Sequence, residues 1–227
     1  MIKTIFILDK TAVAENIGAA ARAIKTMGFD QLFLINPKVK HLDKKAKILA
    51  HGSIDILEKA IIFDSLDAAK EQLDFLIGTT ANIDRTAKND FHHIRKTKQI
   101  INSKKNSIHH LGILFGSEES GLSNVDLKKC DVITSIPIQQ AYPSLNLAQA
   151  VMIVAYELSG IPKMNKLPKN EVPSLYPQLK NEIIELFENH NLDTSTVLFN
   201  RILERLALTN TTDAKLFLSA LHKIKKS

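Results

Sequence analysis

Three short groups of residues have side chains and spacings able to do chemistry. Asn16, Gly18 and Arg22 lie within seven residues of each other. Gly116-Ser117-Glu118-Glu119-Ser120-Gly121-Leu122 follows an apolar run, and Tyr142-Pro143-Ser144-Leu145-Asn146 precedes another. Read alone, Asn16 is a helix N-cap whose side-chain oxygen takes an orphan backbone N–H. Gly18 permits close packing, and Arg22 is an ordinary surface arginine. Gly116 lets backbone approach a ligand or another chain because it carries no Cβ. Glu118 either neutralises a cation or holds its own loop through backbone N–H groups. Ser144 reads as a nucleophile only if a base stands near, and neither a nucleophile elbow nor a suggestive histidine surrounds it. Capping of the following helix by Ser144 or Asn146 is the structural alternative, and it is compatible with a functional role.

Other chemistries are poorly served. The three-glycine dinucleotide fingerprint and the lysine-bearing phosphate loop are both missing. The eight histidines include no pair at metal-ligand spacing beside a carboxylate. Cys130 is the single cysteine, which excludes a disulfide framework and a cysteine metal cluster and suits a reducing cytosol.

The elements that must position these groups alternate between strand and helix. Ile113 to Phe115 and Val132 to Ile136 read as buried strands that open into the second and third groups. Ligands bind outside the carboxyl ends of strands in open α/β sheets, so two such loops side by side form one pocket. From Asn146 the apolar spacing of Leu147, Val151, Val154 and Leu158 predicts a helix whose amino end adjoins that pocket. Upstream, Ile2 to Leu8, Gln31 to Ile35, Ile61 to Phe63 and Phe75 to Gly78 read as strands. Asn16 to Met27, Asp43 to Leu49, Ile54 to Glu58 and Ser65 to Gln72 read as helices, with Ser65 as an N-cap. The alternation predicts an α/β fold with a mainly parallel sheet and helices on both faces.

After Gly160 the composition changes. Residues 161–177 hold Pro162, Pro168, Pro173 and Pro177 among lysines, a linker composition. Residues 178–227 carry apolar positions at helical spacing in three groups, a small helical extension whose core is marginal unless it docks on the main domain or a second subunit. The 227 residues, 44% hydrophobic and 24% charged, suit one α/β domain plus this appendage. No stretch is long enough to span a bilayer, and the amino-terminal apolar run is too short for a signal peptide. A net charge of +6 favours a polyanionic partner. Asn82 to Asn106, with Arg85, Lys88, Arg95, Lys96, Lys98, Lys104 and Lys105, is either a solvated loop and helix or a phosphate-facing patch.

Taken together and in order, the three groups resemble the motifs of the SPOUT superfamily of S-adenosylmethionine-dependent RNA methyltransferases, in its TrmH-like group. Asn16, Gly18 and Arg22 match the first motif, Gly116, Glu118, Gly121 and Leu122 the second, and Ser144, Leu145 and Asn146 the third. The resemblance spans nearly all of residues 1–158. A helical carboxyl-terminal extension and the Lys25 to Phe29 end of the first helix point to its tRNA 2′-O-ribose methyltransferases. It implies a methyltransferase domain over residues 1–160 with a carboxyl-terminal trefoil knot, which ordinary topology rules disfavour. It further implies S-adenosylmethionine bound by Thr79, Thr80, Ala81, Leu114, Gly116, Glu118, Ile136, Pro143, Ser144 and Leu145. Arg22 would act on the ribose 2′-hydroxyl, Asn16 and Asn146 would orient it, and Ser144 would hold the knot loop.

The resemblance also implies a cytoplasmic homodimer with active sites shared between subunits, no metal, and tRNA as substrate at the first nucleotide of the anticodon loop (position 32). Ribosomal RNA is the rival substrate. A knotted RNA-binding protein without transferase activity is the rival class, against which the presence of Arg22, Asn16 and Asn146 speaks. Three positions depart from the family pattern. Ala14 stands where proline is frequent, Ser117 where arginine is common, and Thr79 to Arg85 where an arginine-rich run follows the cofactor loop. The last two remove positive charge along the expected RNA path.

Overall fold

The computed structural model describes residues 2–82, 90–138, 145–161 and 174–225. Seven strands make one sheet: β1 (Lys3–Asp9), β2 (Gln31–Ile35), β3 (Ile61–Phe63), β4 (Phe75–Thr79), β5 (Phe91–His93), β6 (His110–Phe115) and β7 (Val132–Ser135). Their order is β3-β2-β1-β6-β4-β7-β5, and every pairing is parallel. Parallel neighbours need crossover connections, and here helices supply most of them. These are α1 (Ala14–Thr26), α2 (Lys44–Ala50), α3 (Ile54–Glu58), α4 (Leu66–Lys70), α5 (Ile94–Ser103), α6 (Asn124–Lys129) and α7 (Leu147–Leu158).

The strands are near-continuous apolar runs because helices cover both faces of the sheet. Phe6 and Leu8 of β1 pack in one core with Ile17 and Ala21 of α1 and Val151 and Val154 of α7. Ile5 and Ile7, pointing the other way, share a second core with Leu66 of α4 and Leu127 of α6. Gly18 sets the fit of α1 against α2. A Cβ there would lie 2.0 Å from the Ala46 carbonyl oxygen, so only glycine allows the helices this close. Ser65 caps α4 by accepting the Ala68 N–H at 3.2 Å, as its sequence position predicts.

Two regions differ from expectation. β5 lies inside the basic segment read as loop and helix, a three-residue edge strand too short to show an alternating pattern. At the carboxyl end, α8 (Leu175–Asn189) begins inside the segment read as linker. Pro177 therefore sits in a helical first turn, where its missing N–H costs nothing. With α9 (Val197–Ala207) and α10 (Thr211–Ile224) this completes the expected three helices. They dock on the main domain: Tyr176 is fully buried edge-on against Phe75, and its hydroxyl donates to Asp131 at 2.9 Å. Among the described residues, no helix is long and apolar enough to cross a membrane.

Candidate active site

β6, β4 and β7 are adjacent, and their carboxyl ends align, with Gly78 opposite Leu114 and Thr79 opposite Thr134. The loops that leave these strands are therefore neighbours. They enclose a cleft of about 260 Å³ lined by Thr79, Thr80, Ala81 and Asn82, by Phe115 to Leu122, by Thr134, Ile136 and Ile138, and by Leu145, Leu147 and Ala150. Backbone and small side chains form much of this wall. Thr79 is fixed by donating its hydroxyl to the Leu114 carbonyl at 2.9 Å, and the Thr80 N–H donates to the Thr134 carbonyl at 3.0 Å.

Gly116 shapes the second-motif turn from inside. It lines the cleft, and a Cβ on it would lie 2.1 Å from the Gly121 carbonyl carbon and 2.2 Å from the Leu122 nitrogen. Gly116 is required because the turn folds back on its own backbone, with the Gly121 N–H donating to the Ser117 carbonyl at 2.9 Å.

Beside the cleft the three motifs meet in one chain of hydrogen bonds. Glu118 accepts from the Ala12 N–H at 3.1 Å and from Asn16 Nδ2 at 2.9 Å. Asn16 Oδ1 in turn accepts from Asn146 Nδ2 at 2.9 Å, and Asn146 Oδ1 accepts from the Ala148 N–H at 2.9 Å. An ionised carboxylate at one end can only accept and a backbone N–H at the other can only donate, so both amides are held in a single orientation. Asn16 is 8% exposed, which makes each of these bonds costly to break. It is not the N-cap of α1: that position belongs to Val13, which makes no side-chain cap, and Asn16 points from the first turn toward α7. Asn146 does cap α7, in a capping box with Gln149.

The remaining expected residues separate into three groups. Leu114 sits behind the cleft wall with its side chain buried in the second core, so it offers only its carbonyl. Pro143 and Ser144 lie outside the described residues. Arg22 is exposed on α1, does not line this chain's cleft, and forms no ion pair or hydrogen bond with Asn16, whose amide is already engaged at both ends. Asn82, Ser120, Ile138, Leu147 and Ala150 line the cleft without having been expected as cofactor contacts from the sequence. Their signal was adjacency, since each lies within a few residues of a motif or strand end.

The basic segment after β4 also divides. Lys104 is 1% exposed, with its ammonium over the Tyr176 and Phe75 rings at 4.5 and 5.0 Å and donating to the Thr209 carbonyl at 2.9 Å. It belongs to the core and faces no phosphate. Arg95 lies 3.7 Å from Glu157, and Arg85 and Lys88 fall outside the described residues. Among the described residues no cluster of histidine, cysteine and carboxylate side chains is arranged to hold a metal.

Comparisons with known proteins give the chain's family and the likeness of its fold. The model of the SpoU rRNA Methylase family matches residues 3–156. An uncharacterized tRNA/rRNA methyltransferase, LasT, of Escherichia coli is 33% identical over 97% of this chain and 96% of its own length. A tRNA (cytidine/uridine-2'-O-)-methyltransferase, TrmJ, of Pectobacterium atrosepticum is 36% identical over 81% of this chain and 75% of its own. Among solved structures, TrmJ from Z. mobilis superposes with a TM-score of 0.68 at 24% identity, covering 98% and 99% of the two chains. The SpoU methyltransferase AviRb from Streptomyces viridochromogenes, solved in complex with AdoMet, does so with 0.54 at 22% identity over 70% and 60%. These two likenesses are of fold.

Proposed function

Because this chain belongs to the SpoU rRNA methylase family, we propose that it moves a methyl group from S-adenosylmethionine to a ribose 2′-hydroxyl of tRNA, at the first nucleotide of the anticodon loop. The observation that carries the proposal is the bonded series Glu118, Asn16, Asn146, which draws all three motifs to one side of a cleft at the strand ends. The cleft suits the cofactor by its own chemistry. Leu122, Ile136, Ile138, Leu145 and Leu147 give apolar walls for an adenine ring, and loop backbone supplies polar contacts. Among the described residues its only acidic or basic lining side chains are those of Glu118 and Glu119, which favour a cationic guest.

The group that these residues would hold, S-adenosylmethionine, would supply a methyl group from positively charged sulfur, leaving a neutral thioether. The protein's part is alignment and charge. Glu118, Asn16 and Asn146 lock the second-motif loop to the amino ends of α1 and α7, so the cleft wall and the helix that carries Arg22 keep one spacing. The role assigned to the Arg22 guanidinium is to hold the phosphate beside the target ribose and to stabilise charge growing on the 2′ oxygen. The hydroxyl proton leaves to water.

Arg22 is absent from the lining of its own chain's cleft, which supports a homodimer in which each cleft receives Arg22 from the partner subunit. Ile153 and Tyr156 of α7 support the same arrangement. They stand outside the core on one stripe, and Tyr156 is 67% exposed, a surface suited to a second copy. The return of the chain after β7 to pack α7 on α1 supports the proposed trefoil knot. Ribosomal RNA is the second reading, favoured by the tRNA/rRNA description of the E. coli relative.

The test is methyl transfer from labelled cofactor to bulk tRNA and to ribosomal RNA, followed by nucleotide-level mapping. Label on the 2′ oxygen of an anticodon-loop nucleotide is expected. Label confined to ribosomal RNA would transfer the assignment to the second reading, and no label on either would remove the enzymatic one.

A further inference from the structure

The cleft has a charge problem for an RNA substrate. Its lining holds two carboxylates and no cation among the described residues, and Ser117 and Ser120 flank them in the turn. Phosphates must therefore be held from outside it. The densest run of lysines in the chain lies elsewhere, in the ten residues from Lys38 to Lys47, where five lysines face one carboxylate, Asp43. That local excess of +4 compares with +6 for the whole chain. Burial holds the His41 imidazole below its usual range, so the charge at neutral pH is that of the lysines.

The fold joins this segment to the site at both ends. The Lys38 N–H donates to the Thr11 carbonyl at 2.9 Å, and the next residue, Ala12, donates its N–H to Glu118 on the cleft wall. At the other end, α2 lies on α1 through the Gly18 and Ala46 contact, and Lys45 pairs with Glu15 at 3.0 Å. Glu15 and Arg22 are seven residues apart, two turns on one helical stripe, about 10 Å along the axis. Lys38, Lys40, Lys44 and Lys47 are exposed and form no ion pair among the described residues, whereas Lys45 and Lys25 are engaged by Glu15 and Asp55.

We infer that the Lys38 to Lys47 strip, running from the rim of the Glu118 loop to the face of Arg22, is the track that binds the phosphate backbone of the RNA substrate. It replaces the positive charge that the second-motif turn lacks. The inference rests on the RNA methyltransferase reading above, and it places the main phosphate contacts here rather than after β4.

The experiment measures binding of an unmodified tRNA transcript by fluorescence anisotropy across a KCl series. Three full-length proteins are compared: wild type, the variant Lys38→Ala/Lys40→Ala/Lys44→Ala/Lys47→Ala, and a control of equal charge change, Lys59→Ala/Lys128→Ala/Lys215→Ala/Lys223→Ala. Each lost phosphate contact flattens the slope of log K against log salt by about 0.7–0.9, so the strip variant is expected to lose roughly 3 from the wild-type slope and at least tenfold in affinity at low salt. The control should stay near wild type. Calorimetric titration with S-adenosylmethionine should be unchanged in both, which shows that the fold and the cleft are intact. A strip variant with the slope and affinity of the control overturns the inference while leaving the methyltransferase reading in place. Wild-type protein that binds the transcript without salt dependence overturns both.

Discussion

At the scale of single residues, Asn16 is the joint on which the site depends. It donates to Glu118 and accepts from Asn146, so removing its amide releases two loops at once and leaves a carboxylate and an amide short of a partner. Asn16→Ala is expected to lower methyl transfer to tRNA by about 100-fold through misalignment. Cofactor affinity, read by calorimetry, should fall far less, because Asn16 does not line the cleft. Equal losses in both would return Asn16 to a purely structural role. Gly116→Val is expected to abolish cofactor binding, for a reason that the sequence does not disclose. The new side chain collides with the Gly121 and Leu122 backbone and forces the turn open. Unchanged affinity would show that the turn relaxes. The identity of these residues was legible because glycine, carboxylate and amide recur in a fixed order. Their partners were not, since a bond spanning 102 or 130 residues, such as Asn16 to Glu118 or Asn146 to Asn16, leaves no trace in local spacing.

At the scale of elements, periodicity revealed what burial dictates and missed what tertiary contact imposes. β1, β2 and β4, and α1 and α7, have apolar spacing that matches their covered faces, whereas Ile61 and Ile62 of β3 and Val197, Leu198, Leu216 and Phe217 of the carboxyl-terminal helices are exposed. β5 and the start of α8 escaped, one too short for a pattern and the other hidden by Pro177 in its first turn. Lys104 escaped too, because a lysine in a basic run reads as solvated until the docking of α8 covers it. Desolvation between Tyr176, Phe75 and Thr209 lowers its ammonium from the ordinary 10.5 to about 8, against a smaller upward pull from Asp131. Between those values the unfolded chain keeps a proton that the folded chain has lost, so stability from this group rises as pH increases from about 8 to 10.5. The difference amounts to roughly 3 kcal/mol. Lys104→Met should abolish that rise. At pH 7 it should be close to neutral, because relief of the buried charge is offset by an unpaired Thr209 carbonyl costing about 1–3 kcal/mol. Urea melts of both proteins across this window check the prediction. Parallel curves for the two would mean that Lys104 reaches solvent.

At the scale of the whole molecule, Arg22 is absent from the described lining of its own chain's cleft and Tyr156 of α7 is exposed, and the proposed two-fold arrangement would account for both. An isologous contact repeats itself, so in the proposed dimer each subunit would lend Arg22 and receive the partner's in return. The arrangement predicts an outcome that a site built within one chain cannot give. Arg22→Ala and Gly116→Val should each be inactive as homodimers, one for want of the guanidinium and the other for want of a formed cleft. When the two are co-expressed, a mixed dimer contains one site with both defects and one with neither, because the intact cleft of the Arg22→Ala chain meets the intact Arg22 of the Gly116→Val chain. Random pairing makes half of the dimers mixed, so methyl transfer should recover to about a quarter of wild type. If Arg22 serves its own chain's cleft, both sites of every mixed dimer carry a defect and activity stays at the level of the homodimers. Tyr156→Asp is the companion measurement. A carboxylate on the exposed α7 stripe should shift the mass in solution from dimer to monomer and take methyl transfer with it. A monomer that retained full activity would place the guanidinium and the cleft within a single chain after all.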